Sequence, residues 1–233
     1  APTSTTGSIG TALQNPDLVY TDSNLPDNTD TLSVGGFVKL DSTRISSLDG
    51  TNNGATTGVT GKIGNAWEFD GSTYVQVNAN LEPNSNTATT KWSVNTWINM
   101  DSTSNHSPYL TAGSTHPDRI DLRYHATKNN QYTEHDYDLD ISDSFNSANT
   151  WVMFTNVRDG NNWYQYRDGA LIGSVTGQDF TVPELSVWNI GDSIRGDGGH
   201  DGKLDELTIW SEALSASDVT ALYASSSGIA FTD

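Results

Sequence analysis

Apolar and polar residues alternate with a period of two along much of the chain, the pattern of strands that bury one face. It is clearest in Trp92-Ser93-Val94-Asn95-Thr96-Trp97-Ile98-Asn99-Met100, where Trp92, Val94, Ile98 and Met100 share a face. Further strands are predicted at 37–40, 120–125, 132–141, 151–157, 163–167 and 170–175, with turns at Asp159-Gly160 and Asp168-Gly169. Trp67 and Phe69 alternate with Glu68 and Asp70, and Asp70-Gly71 turns the chain into Tyr74-Val75-Gln76-Val77. The stretch 46–54 is rich in Ser, Asp, Asn and Gly and reads as the start of a long surface loop. A helix is predicted only near the end, to about Tyr223, with Ser215 as N-cap, Asp218 three residues on and a Leu214–Val219 staple.

A chain of 233 residues suits one all-β domain large enough to bury its own core. Residues 1–33 hold Thr, Ser, Asn, Asp and Pro with few large apolar groups, so they read as an N-terminal arm or linker ahead of a sandwich over 34–233. Such an arm gains order by docking on its own sandwich or on a neighbour. The sequence has no cysteine, which removes disulfides and thiolate metal sites and leaves calcium as the expected staple. No apolar run approaches the roughly 20 residues of a membrane-spanning helix. A net charge of −18 argues against nucleic acid as a partner, since a polyanion would be repelled. Asp far outnumbers Glu and Lys is scarce, a balance expected of a surface adapted to high salt.

The segment Gly61-Lys62-Ile63-Gly64-Asn65-Ala66-Trp67-Glu68-Phe69-Asp70-Gly71 resembles the G-x-x-G-x-A-x-x-F-D-G motif of laminin-G-like domains of the concanavalin A-like lectin/glucanase superfamily. Three further segments resemble family motifs in the same order. They are Trp92 to Ile98; Trp151 to Gly169; and Gly202-Lys203-Leu204-Asp205-Glu206-Leu207-Thr208-Ile209-Trp210 with Ala213-Leu214-Ser215. The resemblance implies a jelly-roll sandwich of two antiparallel sheets, one of them concave, with a short C-terminal helix. Functions in that superfamily vary, so function has to come from the residues of the site.

Asp205 shares parity with Leu207 and Ile209 and is expected to point with them toward the core, where a lone carboxylate is costly. The resemblance implies a structural calcium there, with the carbonyl of Gly71 and Asp41 as further ligands. The plainer alternative has Asp205 capping a turn or pairing with an arginine such as Arg195. The loop 190–202 gathers Asp192, Asp197 and Asp201 among glycines and is a candidate for ligand or ion binding, against the simpler reading of a solvated acidic loop. Tyr124 and Trp163, if they face outward, are candidates to stack on sugar rings.

Catalysis has one candidate, Glu134-His135-Asp136-Tyr137-Asp138, read as alternate carboxylates on one strand and similar to the catalytic strand of retaining β-glucanases. Asp138 stands where those enzymes carry a glutamate, and Asp140 extends the acidic ladder, as a hydrated strand face would. The expected function is therefore a non-catalytic recognition or adhesion module for glycans or a cell-surface ligand, stabilised by calcium and presented extracellularly, on a cell surface or on a virion. The alternatives are an assembly subunit whose arm contacts neighbours, and a glycoside hydrolase using Glu134, Asp136 and Asp138.

Overall fold

The computed structural model describes residues 32–34, 50–78, 81, 90–113, 119–126, 129–134, 137–142, 147–177 and 185–223. In chain order the strands are β1 (Leu32–Val34), β2 (Thr51–Asn53), β3 (Thr56–Thr60), β4 (Asn65–Asp70), β5 (Tyr74–Asn78), β6 (Lys91–Met100), β7 (Ser107–Gly113) and β8 (Arg119–Tyr124). They continue with β9 (Asn129–Glu134), β10 (Tyr137–Ser142), β11 (Trp151–Asp159), β12 (Asn162–Arg167), β13 (Ala170–Val175), β14 (Val187–Ile190) and β15 (Asp201–Trp210), before helix α1 (Ala216–Tyr223). Two antiparallel sheets face one another. Among the described residues one has eight strands, in the order β13-β12-β11-β6-β15-β4-β3 with β1 also on β15; the other has seven, in the order β10-β9-β8-β7-β14-β5-β2.

Between the sheets lies one continuous core, to which β6 contributes Trp92, Val94, Ile98 and Met100, the face its alternation predicts. Tyr109, Leu110, Ile120, Leu122 and Tyr124 close it from the seven-stranded sheet. Trp97 takes the opposite parity and lies on the outer face of the eight-stranded sheet with Met153, Val157, Tyr166 and Trp210, under Val219 and Leu222 of α1. The helix starts as its sequence dictates. Asp218 accepts from the Ser215 amide (2.8 Å) and hydroxyl (2.6 Å), and the Ser215 hydroxyl accepts from the Asp218 amide (3.3 Å), a reciprocal cap.

Among the described residues, five strands, β1, β2, β3, β7 and β14, lie where no strand is predicted. β2 and β3 are polar and largely exposed sheet-end segments with no apolar face to reveal them. β7 is buried on both faces apart from its last residue, so it shows no alternation, and β14 has four residues. The predicted strand at 37–40 lies outside the described residues. β1 runs across the 33/34 boundary drawn from composition and adds its backbone to β15 of the same chain.

Candidate binding site

In β8, Ile120, Leu122 and Tyr124 enter the core, so Arg119, Asp121 and Arg123 emerge on the outer face of the seven-stranded sheet. That face is not open here, because the loop between β14 and β15 folds over it. Arg123 Nε and Nη2 donate to the two oxygens of Asp121 at 2.7 and 2.5 Å, its Nη1 donates to Asp197 at 2.8 Å, and Nη2 also reaches the Ser193 hydroxyl at 2.8 Å. Ser193 donates in turn to Asp197, and Arg195 Nε lies 2.7 Å from Asp121 Oδ2. Burial works against the Arg123 charge, but Asp121 and Asp197 outweigh it and hold its pKa above the ordinary arginine value. Burial alone would raise Asp197; the Ser193 hydrogen bond and Arg123 bring it below the usual carboxylate range. The Asp121 and Arg123 side chains are 0% exposed, whereas Arg195 and Asp197 keep 22% and 34%, so the network is rigid beneath and polar on top.

The loop is fixed by main-chain contacts at both ends. The Thr111 hydroxyl donates to the Asp192 carbonyl (2.8 Å), His200 N–H to Gly191 O (2.8 Å), Gly71 N–H to His200 O (2.8 Å) and Gly199 N–H to Gly71 O (3.2 Å). A Cβ on Gly199 would sit 2.7 Å from Gly71 O and 2.9 Å from Gly191 O, so this crossing tolerates no side chain. The His200 ring is buried edge-on to Phe69, with Nδ1 2.6 Å from the Ser107 hydroxyl, and burial pushes its pKa down to about 4. At the edge of the network, the rings of His106 and His125 lie 4.1 Å apart between centroids, and the Ala126 amide donates to His106 Nδ1 at 3.4 Å. Burial, the largest influence, holds His106 below the ordinary histidine value, and the charges it senses are Asp197, Arg123, Asp121 and Arg195. Three connections thus border one polar surface: 101–106, 125–126 and 191–200.

Of the loop aspartates, Asp197 belongs to the network, Asp192 accepts from its neighbour Ser193 N–H (2.8 Å), and Asp201 opens β15 opposite Asp70. Tyr124 and Trp163 need correcting as sugar-stacking candidates. Both rings are buried in the core, at 1% and 0% exposure, because their strand parity turns them inward. Asp121 and Arg123, which organise the site, went unread, although Ile120-Asp121-Leu122-Arg123-Tyr124 carries the signal: opposite charges two apart on the face away from the apolar residues.

Asp205 does not point with Leu207 and Ile209. β15 carries a bulge between Asp205 and Thr208, with Glu206 at φ 48°, so Asp205 pairs with Trp97 on the outer face while Leu207 and Ile209 enter the core. The bulge falls where the neighbour of β15 changes from β4, along Asp201–Leu204, to β1, along Leu207–Ile209. Asp205 fills this junction. Its Oδ2 accepts from Ile63 N–H (2.8 Å) and its Oδ1 from Glu206 N–H (2.9 Å). A Cβ on Gly61 would lie 2.5 Å from Oδ2, a close approach that accounts for the first glycine of the motif. Burial raises the Asp205 pKa against these amide donors. Arg195, the alternative partner, is committed to Asp121 instead.

Of the ligand set expected for calcium, the two described members, Asp205 and Gly71, do not meet. Gly71 lies next to the Asp70–Asp201 pair, four positions from Asp205, and a strand rise of about 3.3 Å per residue separates them by roughly 13 Å. Asp41 lies outside the described residues. Among the described residues no group of three or more His, Asp or Glu stands close enough to hold a metal.

The acidic run at 134–138 is divided between two strands. β9 ends at Glu134 and β10 begins at Tyr137, and the two pair antiparallel, Tyr137 with Glu134 and Asp138 with Thr133. Glu134 and Asp138 therefore occupy opposite arms of a hairpin rather than one face of a strand, and Asp136 lies outside the described residues. The chain reverses where continuous alternation predicts one long strand.

The family model described as the concanavalin A-like lectin/glucanases superfamily matches residues 69–220, well over half of the chain. The chain belongs to this superfamily. Domain 4 of a GH43 extracellular arabinanase from Geobacillus stearothermophilus, solved with arabinotriose, has a TM-score of 0.61 at 22% identity over 86% of this chain and 91% of that one. The receptor-binding domain of a botulinum neurotoxin C/D mosaic serotype has a TM-score of 0.60 at 18% identity, over 84% of this chain and 50% of that one. Trypanosoma rangeli sialidase, solved with the inhibitor DANA, has a TM-score of 0.61 at 13% identity, over 95% of this chain and 38% of that one. At these identities the likeness is one of fold, and in the last two cases the chain spans half or less of the other protein. No curated protein matches the sequence.

Proposed function

We propose that the protein is a non-catalytic carbohydrate-recognition module, presented outside the cell, that binds its glycan over the Asp121–Arg123–Asp197 network. The observation that carries this reading is the network itself: two buried charged residues hold Asp197 and Arg195 in fixed positions with their edges exposed. A sugar hydroxyl both donates and accepts, and so matches a surface that offers a carboxylate edge beside a guanidinium. Immobilising these groups in advance lowers the entropic cost of binding. The superfamily supports the reading, as do sugar-bound structures of the same fold, arabinotriose on the arabinanase domain and SialylT on a neurotoxin binding domain. The separation of Glu134 and Asp138 onto two strands favours recognition over hydrolysis.

A glycan array followed by titration calorimetry tests the proposal. Wild-type protein binds at least one glycan class without hydrolysing it, and Asp197→Ala weakens binding roughly tenfold or more while the circular dichroism spectrum is unchanged, as expected for a lost charged partner worth about 1.5–3 kcal/mol. No binding, or full affinity in the variant, would reject the site. Repeating the titration in EDTA and in calcium tests the ion dependence expected from the sequence.

A further inference from the structure

We infer that the ligand of this site is an uncharged glycan, and that a carboxylate or sulfate on the sugar works against binding; the inference rests on the recognition reading above. Proteins capture anionic sugars with guanidinium or ammonium donors that are exposed and free to turn to the ligand. The arginines of this face do not meet that description. Arg123 spends Nε, Nη1 and Nη2 on Asp121, Asp197 and Ser193, and its side chain is 0% exposed. Arg195 is held 2.7 Å from Asp121, and Arg119, two residues before Asp121 on the same face, is 9% exposed. Arg123 and Arg195 face Asp121 and Asp197 inside the protein, so two guanidinium charges meet two carboxylates before any ligand arrives.

Among the described residues of this centre the most exposed side chain is an acceptor, with Arg195 less exposed at 22%. Asp197 keeps a third of its side chain exposed, and Asp192 is half-buried on the same loop. A sugar hydroxyl can donate to these oxygens, whereas a ligand carboxylate can only oppose them. His106 does not supply the missing positive charge at neutral pH, since burial favours its neutral form. The chain's −18 charge adds a repulsion that acts at longer range and fades with salt, so the contact at Asp197 decides the discrimination in physiological buffer.

The experiment uses the full chain and matched oligosaccharide pairs that differ by one group: a neutral hexose oligomer against its uronic acid counterpart, and a neutral oligomer against its sulfated form. Calorimetry at pH 7.5 and about 0.15 M NaCl is expected to give the neutral member at least roughly tenfold tighter binding, the scale of one like-charge contact near a protein surface. Asp197→Asn, with its fold checked by circular dichroism, narrows that ratio toward one, because it removes the opposing charge and leaves Arg123 in excess. Equal or tighter binding of the charged member by wild type overturns the inference while leaving the recognition reading intact. An unchanged ratio in Asp197→Asn overturns the assignment of selectivity to this site. Binding of neither member rejects the recognition reading and this inference with it.

Discussion

His200 and Asp205 are buried ionisable residues with opposite consequences. His200 is neutral in the fold, its pKa down to about 4 against 6.5 when exposed, with burial as the main cause. The unfolded chain therefore binds the extra proton first: the contribution is full above pH 6.5 and is lost as pH falls toward 4, to a total of about 3 kcal/mol. Urea denaturation of wild type and His200→Asn across that range is expected to show a flatter pH dependence in the variant; parallel curves would refute it. Asp205 supports the chain through amide donors from Ile63 and Glu206. Asp205→Ala strands those donors and is expected to cost about 2–4 kcal/mol, with Asp205→Asn recovering part of the loss. A loss below about 0.5 kcal/mol, the scatter of ordinary surface changes, would show that the bulge does not depend on this carboxylate.

Elements explain what the sequence could reveal and what it hid. Strands with one apolar face, β6 above all, were legible because contact with the core on one side sets apolar residues at a period of two, although the other face of β6 is also largely buried. The cap at Ser215 and Asp218 was legible because it needs two specific side chains three apart. The bulge in β15 was not, since Asp205 through Ile209 keep an unbroken numerical parity while the backbone at Glu206 shifts it. The β9–β10 hairpin was hidden likewise, as the acidic alternation of Glu134, Asp138 and Asp140 runs unbroken in sequence across the reversal. Of the candidate site, the loop aspartates were visible as composition, but the β8 face that organises them is created by pairing distant segments. One element-scale prediction concerns the outer face of the eight-stranded sheet. Trp97 is stacked on Tyr223 at 5.7 Å and carries Lys62 4.7 Å above its ring, joining α1 and the 61–63 turn to β6. Trp97→Ala is expected to cost about 3–5 kcal/mol and to raise hydrogen exchange in α1 more than in β8; uniform loss of protection would contradict this.

For the whole molecule, the charge of −18 destabilises the compact state through self-repulsion. Raising NaCl from about 0.1 M to about 1 M shortens the screening length from roughly 10 Å to roughly 3 Å, so Tm is expected to rise by several degrees. A flat or falling Tm would mean that surface repulsion does not limit stability, and would remove the support for a high-salt habitat. Arg123 and Asp121 are buried and gain little from added salt, so the affinity for a neutral glycan should stay nearly constant across the same range.

The proposed glycan site lies over the Asp121–Arg123–Asp197 network, between three connections of the seven-stranded sheet. Hydrogen exchange of the full chain, with and without a saturating neutral oligosaccharide chosen by array binding, tests it most directly. New protection is expected in 101–106, 125–126 and 191–200, with the eight-stranded sheet unchanged. Protection confined to the eight-stranded sheet or α1, with these three connections unaffected, would contradict it.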